Sequence, residues 1–277
     1  MNTNKIELCK VRDFSALLNV TFEFLRQNFK LLFKSNLLIA GPFILLSGVF
    51  LGLYQSSIFQ FSFAANPDFQ SFAIPFVLYI FFASLSYLML TIVSYSYLTL
   101  YKEREPGTFD INDIWQKTKG SFWLILLTGL GSIIIIIFGM ILLIIPGIYL
   151  AIALSIIYMV RLEEKTTFVD AISRCTKLIS GNWWFTFGFI IVLGFIQGFL
   201  GFILYVPNYI VMFALAFAGA DGSSGSIGKI IFIISSIVAS LAILLYIVSI
   251  IGVAFQYYNL VERKEAPGLY QQIESIK

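Results

Sequence analysis

Apolar residues fall in six long runs, at about Asn36–Ser57, Ala73–Leu100, Ser121–Ile144, Ile145–Val160, Trp183–Tyr205 and Ile230–Tyr258. Each is long enough, or nearly so, to cross a hydrocarbon core of about 30 Å. The third and fourth runs are fused. From Ser121 to Val160 there is no Asp, Glu, Lys or Arg. A helix over that stretch would be about 60 Å long, twice what one pass needs. The chain must therefore enter the membrane and return. Pro146-Gly147 is the strongest punctuation in the stretch, because Pro suits the first turn of a helix and Gly relaxes the backbone beside it. This predicts a hairpin near Leu143–Gly147, with Arg161 snorkelling at the end of the return pass. The alternative turns at Gly139 and makes Pro146 a kink. The run from Trp183 to Ala220 is also too long for one pass, and Pro207-Asn208 interrupts it. Either the helix kinks and tilts there, or residues 208–220 form a separate partial element at the outer surface.

Polar segments between the runs carry a second, helical pattern. In "TFVDAISRCTKLISGNWW", residues Phe168, Ala171, Ile172, Cys175 and Ile179 share one helix face. Thr167 and Asp170 fit a capping box, Gly181 fits the stop, and Asp170 with Arg174 are i, i+4 partners. In "FDINDIWQKTKGSFW", Asp110 is the cap. Ile111, Ile114, Trp115 and Thr118 make the stripe, and Gly120 ends it. In "DFSALLNVTFEFLRQNFK", Asp13 is the cap and Phe14, Leu17, Leu18, Thr21 and Leu25 make the stripe. An aromatic ending recurs as Gly181-Asn182-Trp183-Trp184, Gly120–Trp123 and, faintly, Gln27–Lys30. The expectation is an all-α polytopic bundle of six transmembrane helices with about three interfacial amphipathic helices. The whole chain, 1–277, is one integral membrane domain, with candidate repeats 13–100, 109–160 and 167–260. All three begin on the same side, as parallel repeats do. The competing explanation is that short amphipathic helices commonly precede membrane passes.

Charge sets the expected orientation. Of the 18 Lys and Arg residues, all but Lys229 fall in the N-terminal segment, in the second and fourth connections and in the tail. The intervening connections, including the Pro146 hairpin, have almost none. By the positive-inside rule the basic side is cytoplasmic and holds both termini. Cys9 and Cys175 fall on that side, where reduced thiols are expected. No cleavable signal peptide is evident in the first thirty-five residues, which carry scattered charges. Hydrophobic residues make up 59% and charged residues 12%, about half the charged share of a soluble domain.

Missing chemistry narrows function. The chain has no His, which removes the commonest metal ligand and general base. There is no phosphate-binding glycine loop of the GxxxxGK kind. None of the six runs holds a charged residue, as proton relays and ion-coupled transporters usually do. No catalytic, cofactor or metal residues are expected, and no nucleic-acid partner. The carboxylates Glu103/Glu105, Asp110/Asp113 and Glu163/Glu164 read as solvated loops. Thr91, Ser94, Ser96, Thr128, Ser132 and Ser155, with Gly129 and Gly131, read as helix-packing positions. Tyr205, Asn208 and Tyr209, beside the Pro207 break, are weak ligand candidates.

Pro146-Gly147, a short acidic turn, then Ala171, Ser173, Leu178, Gly181 and Trp184 together resemble a motif of bacterial six-helix membrane proteins. These are related to the membrane domain of glycerophosphoryl diester phosphodiesterases. The resemblance implies a bacterial inner-membrane protein and an accessory or assembly role. It does not carry over phosphodiesterase activity, because the soluble domain and the His that the activity relies on are absent. The expected function is a non-enzymatic membrane scaffold or accessory subunit acting on lipid or on a membrane-protein partner. Basic amphipathic segments would favour anionic lipid at the cytoplasmic face. The alternative is a passive or partner-energised permease for a lipid-like or apolar solute.

Overall fold

A computed structural model describes residues 5–63, 69–218 and 226–266. The basic-free stretches 64–68 and 219–225, and Lys277 in the tail, lie outside the described residues. Among those described, the protein is an all-α polytopic bundle. Its helices are α1 (Phe14–Ile39), α2 (Gly41–Phe63), α3 (Gln70–Glu103), α4 (Ile111–Leu142) and α5 (Ile144–Ala153). A 3-10 turn (Leu154–Ile156) joins α5 to α6 (Ile157–Glu163). Then come α7 (Phe168–Ile179), α8 (Trp183–Ala218) and α9 (Ser226–Ser240), and a second 3-10 turn (Leu241–Leu245) leads into α10 (Tyr246–Glu265).

Among the described residues, six segments are long and apolar enough to cross a membrane: Gly41–Phe61, Gln70–Glu103, Ile111–Leu142, Ile144–Glu163, Trp183–Phe217 and Ile227–Glu265. The chain is thus a multi-pass membrane protein. Three of the spans, of 34, 35 and 39 residues, rise about 50 Å or more, well beyond the roughly 30 Å of hydrocarbon. Their ends reach the charged residues Lys102-Glu103 and Arg263–Glu265. One of the two polar assemblies forms there.

The chain folds as two compact units. One holds residues 1–35, 91–194 and 247–277. The other holds 36–90 and 195–246.

In the first unit, α4 opens on Asp110, whose carboxylate accepts from the Asn112 and Asp113 amides, while Asp113 returns a bond to the Asp110 amide. The helix does not stop at Gly120. It runs on to Leu142, because the apolar run after Gly120 continues the hydrogen-bond ladder and glycine costs a helix only about 1 kcal/mol. The turn falls at Leu143, which is extended (φ −160°, ψ 140°), and Pro146 sits in the first turn of α5. The arms of this hairpin approach through glycines. A Cβ on Gly147 would lie 2.8 Å from the Met140 Cα, and one on Gly139 would lie 3.3 Å from the Gly147 Cα. Helix α7 begins at Thr167, whose hydroxyl accepts from the Asp170 amide, and ends at Gly181 in the left-handed region (φ +81°). It packs against α6, the first 3-10 turn and α5. It therefore doubles back along the second arm of the hairpin. Its buried line is Ala171, Cys175, Leu178 and Ile179; Phe168 and Ile172 are only half-buried.

Also in this unit, α1 starts at Asp13, which accepts from the Ala16 amide at 2.7 Å. It does not stop near Lys30 but continues to Ile39. Its buried line is Leu17, Thr21, Phe24, Asn28 and Leu32, whereas Leu18 and Leu25 sit at the edges. Phe24 meets Tyr97, Tyr101 and Phe255 edge-on.

In the second unit, the first pass starts at Gly41 rather than Asn36, because residues 36–39 complete α1. Helices α2 and α9 pack closely. A Cβ on Gly52 would lie 2.5 Å from the Ile233 Cα and 2.8 Å from its amide nitrogen. The Pro207 region is not a separate element: α8 runs through it, with Pro207 inside the helix.

This packing predicts opposite signs for two glycine substitutions. Gly52→Ala should destabilise by about 1–3 kcal/mol, because the clash is with backbone and cannot be relieved by a rotamer change. Gly120→Ala meets open space in a helix interior and should stabilise by about 0.5–1 kcal/mol. Thermal unfolding in mild detergent measures both, and a gain at Gly52 would contradict the α2–α9 packing.

Candidate functional site

Two polar assemblies stand out against the apolar background, one in each unit. In the first unit the centre is Arg174 on α7. Its Nε donates to Glu164 at 2.8 and 3.1 Å, and its two terminal nitrogens donate to the carboxylate of Glu265 at the end of α10, Nη2 at 2.9 Å. Tyr257 donates its hydroxyl to Glu164 at 3.1 Å. Bonding to Glu265 raises the Arg174 pKa above its usual value against the effect of burial, and Glu164 adds to the rise. The expected Asp170–Arg174 pair does not form. Asp170 is turned toward the Thr167 hydroxyl, 2.6 Å away, and Arg174 finds two carboxylates elsewhere. Lys264 completes the latch by donating to the Lys177 and Ser180 carbonyls at 2.6 and 3.0 Å. A cation at the C-terminal end of α7 suits the helix dipole.

The segment before α1 is stitched into the same unit. The Arg12 amide donates to Asn259 Oδ1 at 2.8 Å, Asn259 donates to Gln256, and Gln256 donates to Thr186 at 2.8 Å. Arg263 donates to the Arg12 carbonyl at 2.6 Å. The Arg12 guanidinium donates to the carbonyls of Glu7, Leu8 and Lys10. Burial lowers its pKa, opposed by Glu7. Lys5 donates to the Arg104 carbonyl at 3.0 Å, and the Ile6 amide donates to the Tyr101 hydroxyl at 2.8 Å. Lys102 pairs with Glu163, whose side chain is only 7% exposed. The Tyr258 hydroxyl and the second Glu163 oxygen are buried beside that pair.

In the second unit the centre is Asn208. The residue is 2% exposed, and its side chain sits opposite Gln55 of α2 in a reciprocal amide pair of 2.9 and 3.1 Å. The same Asn208 nitrogen reaches Ser235 and Ser236 of α9 at 3.2 and 3.0 Å, and Ser236 donates to Gln55 at 2.8 Å. Two amide hydrogens thus face three acceptors, and the knot closes on itself.

The residues singled out from sequence separate accordingly. Pro146 and Gly147 build the hairpin, while Asp170 and Gly181 bound α7. Asn182 donates its amide to the Ile179 carbonyl at 2.8 Å and accepts from Thr186. The Trp183 indole N–H donates to the Tyr149 carbonyl at 3.3 Å, and the Trp183 ring stacks on Tyr149 and Phe187. Trp184 points outward, 76% exposed. Asn208 is buried, Tyr209 is exposed, and Tyr205 lies half-buried within electrostatic reach of Tyr79 and Tyr246. The sequence pattern drew no notice to Gln55, Gln256, Asn259 and Glu265, and Glu163/Glu164 are not a solvated loop: Glu163 is buried against Lys102, and Glu164 holds Arg174 and Tyr257. Gln256 and Asn259, three residues apart in "AFQYYNL", and Gln55 in an apolar run were visible signals.

The knot and the latch generate two predictions. Asn208→Leu removes the acceptor of the Gln55 amide and a donor to Gln55, Ser235 and Ser236, leaving only the Ser236–Gln55 and Ser235–Phe232 bonds, and should cost about 1–2 kcal/mol. Adding Gln55→Leu should recover part of that loss in a double-mutant cycle of melting temperatures. Cys175 is fully buried, and burial, with Glu164 adding, pushes its thiol from about 9 up to about 12. The sign follows. Below pH 9 neither the folded nor the unfolded chain ionises this thiol. Above it only the unfolded chain does, so folding weakens as pH climbs toward 12. At pH 8, maleimide should leave Cys175 unlabelled in the folded protein and label it after denaturation. Comparison with protein-family models, with curated proteins and with solved structures finds no match to this chain.

Proposed function

We propose that this chain is a non-enzymatic membrane scaffold or accessory subunit of a bacterial cytoplasmic membrane, with both termini in the cytoplasm. The observation that carries the reading is how the buried polar groups are used. Asn208 and Gln55 are taken up by each other and by Ser235 and Ser236. Arg174 is taken up by Glu164 and Glu265. Such closed sets fix helices against one another, and neither contains a nucleophile paired with a free base. The charge asymmetry supports the orientation. The motif running from Pro146-Gly147 to Trp184 supports the likeness to the membrane domain of glycerophosphoryl diester phosphodiesterases. On this reading the chain offers its charged end to a membrane-protein partner and its basic surface to lipid.

The permease reading keeps one observation in its favour. Tyr205 lies near Tyr79 and Tyr246 in the second unit, next to the missing backbone donor at Pro207. That cluster would suit a lipid-like solute.

Purification in mild detergent with mass spectrometry of co-purifying membrane proteins tests the scaffold. A recurrent partner in stoichiometric amount supports it. Proteoliposomes in which the chain alone speeds exchange of a fluorescent phospholipid between leaflets would overturn it in favour of the permease.

Orientation has its own test. A cysteine in place of Ile145, 81% exposed at the hairpin tip, should react with a membrane-impermeant maleimide in intact cells. One in place of Lys165 should react only after lysis. The reverse pattern inverts the topology.

A further inference from the structure

The basic residues of the first unit are not all used alike. Lys5, Lys10, Lys102, Arg104, Lys117 and Arg174 each have a carboxylate partner, and Arg12, Arg263 and Lys264 each hold backbone carbonyls. Of the seven others among the described residues of this unit, Lys119, Arg161, Lys165 and Lys177 are scattered over α4, α6, the α6–α7 connection and α7, and three stand together. Arg26, Lys30 and Lys34 on α1 are all exposed. Among the described residues none of them has an ion-pair or hydrogen-bond partner. They follow one another at i, i+4 and i+8, which places them in a row about 12 Å long on one face of the helix. That face is opposite the buried line Leu17, Phe24, Asn28 and Leu32.

Aromatic residues flank the row. Phe22 is 40% and Phe29 58% exposed, and Phe29 stacks on Phe33 with ring centroids 5.1 Å apart. The carboxylate nearest in sequence, Glu23, accepts from Gln27 at 3.1 Å and leaves the row a net positive charge. Lys34 stands seven residues before the first membrane span, which starts at Gly41. A soluble partner would have to cover exposed phenylalanines immediately beside a lipid boundary. A phospholipid meets both features at once, with its phosphate on the cations and its acyl chains against the rings.

We infer that the outward face of α1 binds anionic phospholipid headgroups, with Arg26, Lys30 and Lys34 as the phosphate contacts and Phe22, Phe29 and Phe33 as the interfacial anchors. This deepens the scaffold reading and rests on its orientation, in which α1 lies at the cytoplasmic leaflet. Arginine grips phosphate with a planar fork, and the two lysines act as point charges. A headgroup bridging adjacent members of the row would order lipid around the first span.

The test uses the full-length protein in bilayer nanodiscs with trace spin-labelled phosphatidylglycerol or phosphatidylcholine. Electron spin resonance reports the share of labelled lipid immobilised by protein. The wild type should prefer phosphatidylglycerol, and the preference should fall with salt. Each basic residue near an anionic surface contributes about fivefold, so R26Q/K30Q/K34Q should lose most of the preference. K165Q/K177Q/K229Q removes the same charge from other exposed positions and should keep it. Circular dichroism checks that both variants retain wild-type helicity. Equal preference in the wild type and the α1 triple variant overturns the inference, as does an equal loss in the control. Reaction of a cysteine at Lys30 with impermeant maleimide in intact cells would instead overturn the orientation on which the scaffold reading stands. The two failures are therefore separable.

Discussion

In hydrocarbon no water is available to pair with an amide, a carbonyl or a side-chain polar group, and everything in this chain follows from that constraint. The backbone answers it with helices, which satisfy their own amides and carbonyls within one segment. The side chains answer it by bonding backward or to one another. Thr128 and Ser132 return their hydroxyls to the Leu124 and Thr128 carbonyls, one turn earlier. Gln55 and Asn208 instead meet across the gap between α2 and α8. An amide pair of this kind has direction and register, which apolar contact alone does not. It therefore selects one alignment of helices whose faces are otherwise interchangeable leucine, isoleucine and phenylalanine.

Lipid supplies no hydrophobic drive for helices to associate, so contact must come from shape. Glycine provides it where backbones approach most closely. Gly48 and Gly52, one turn apart on α2, admit the backbone of α9 at Ile237 and Ile233, and Gly139 and Gly147 admit the two arms of the α4–α5 hairpin to each other. Helix α5 ends in a 3-10 turn, and α7 then packs back along it. The stack of Trp183 on Tyr149 fixes where α8 begins relative to that hairpin.

Periodicity and length made the helices and the hairpin legible in the sequence. A forty-residue apolar run cannot be one pass, and Pro146-Gly147 located the turn within a few residues of Leu143. The Asp13, Asp110 and Thr167 caps were equally visible, because capping is local chemistry. What failed was whatever tertiary context decides. Gly120 looked like a stop, yet a single glycine is too weak to end a helix that has an apolar run beyond it. Asp170 and Arg174 had the right spacing, but Glu265 lies 91 residues away along the chain and no local rule could propose it. The polar knot was half legible. Asn208 drew notice because of Pro207, while Gln55, its partner, lay in a run that read as uniformly apolar.

The same logic explains why the charged residues divide into two populations. A cation near the ends of long apolar helices is costly unless something neutralises it. Where other helices supply carboxylates or open carbonyls, as at Arg174, Arg12 and Lys264, the cation becomes a fastener between segments distant in sequence. Its worth then depends on how far water is excluded from the pair. Glu163, with a side chain only 7% exposed, would be an uncompensated buried charge without Lys102, so this pair constrains the fold more than the exposed Lys10–Glu7 contact does. Where a helix turns a basic row outward and no protein group approaches, as on α1, neutralisation must come from the surroundings. On the inference drawn above, those surroundings are the anionic surface of the bilayer.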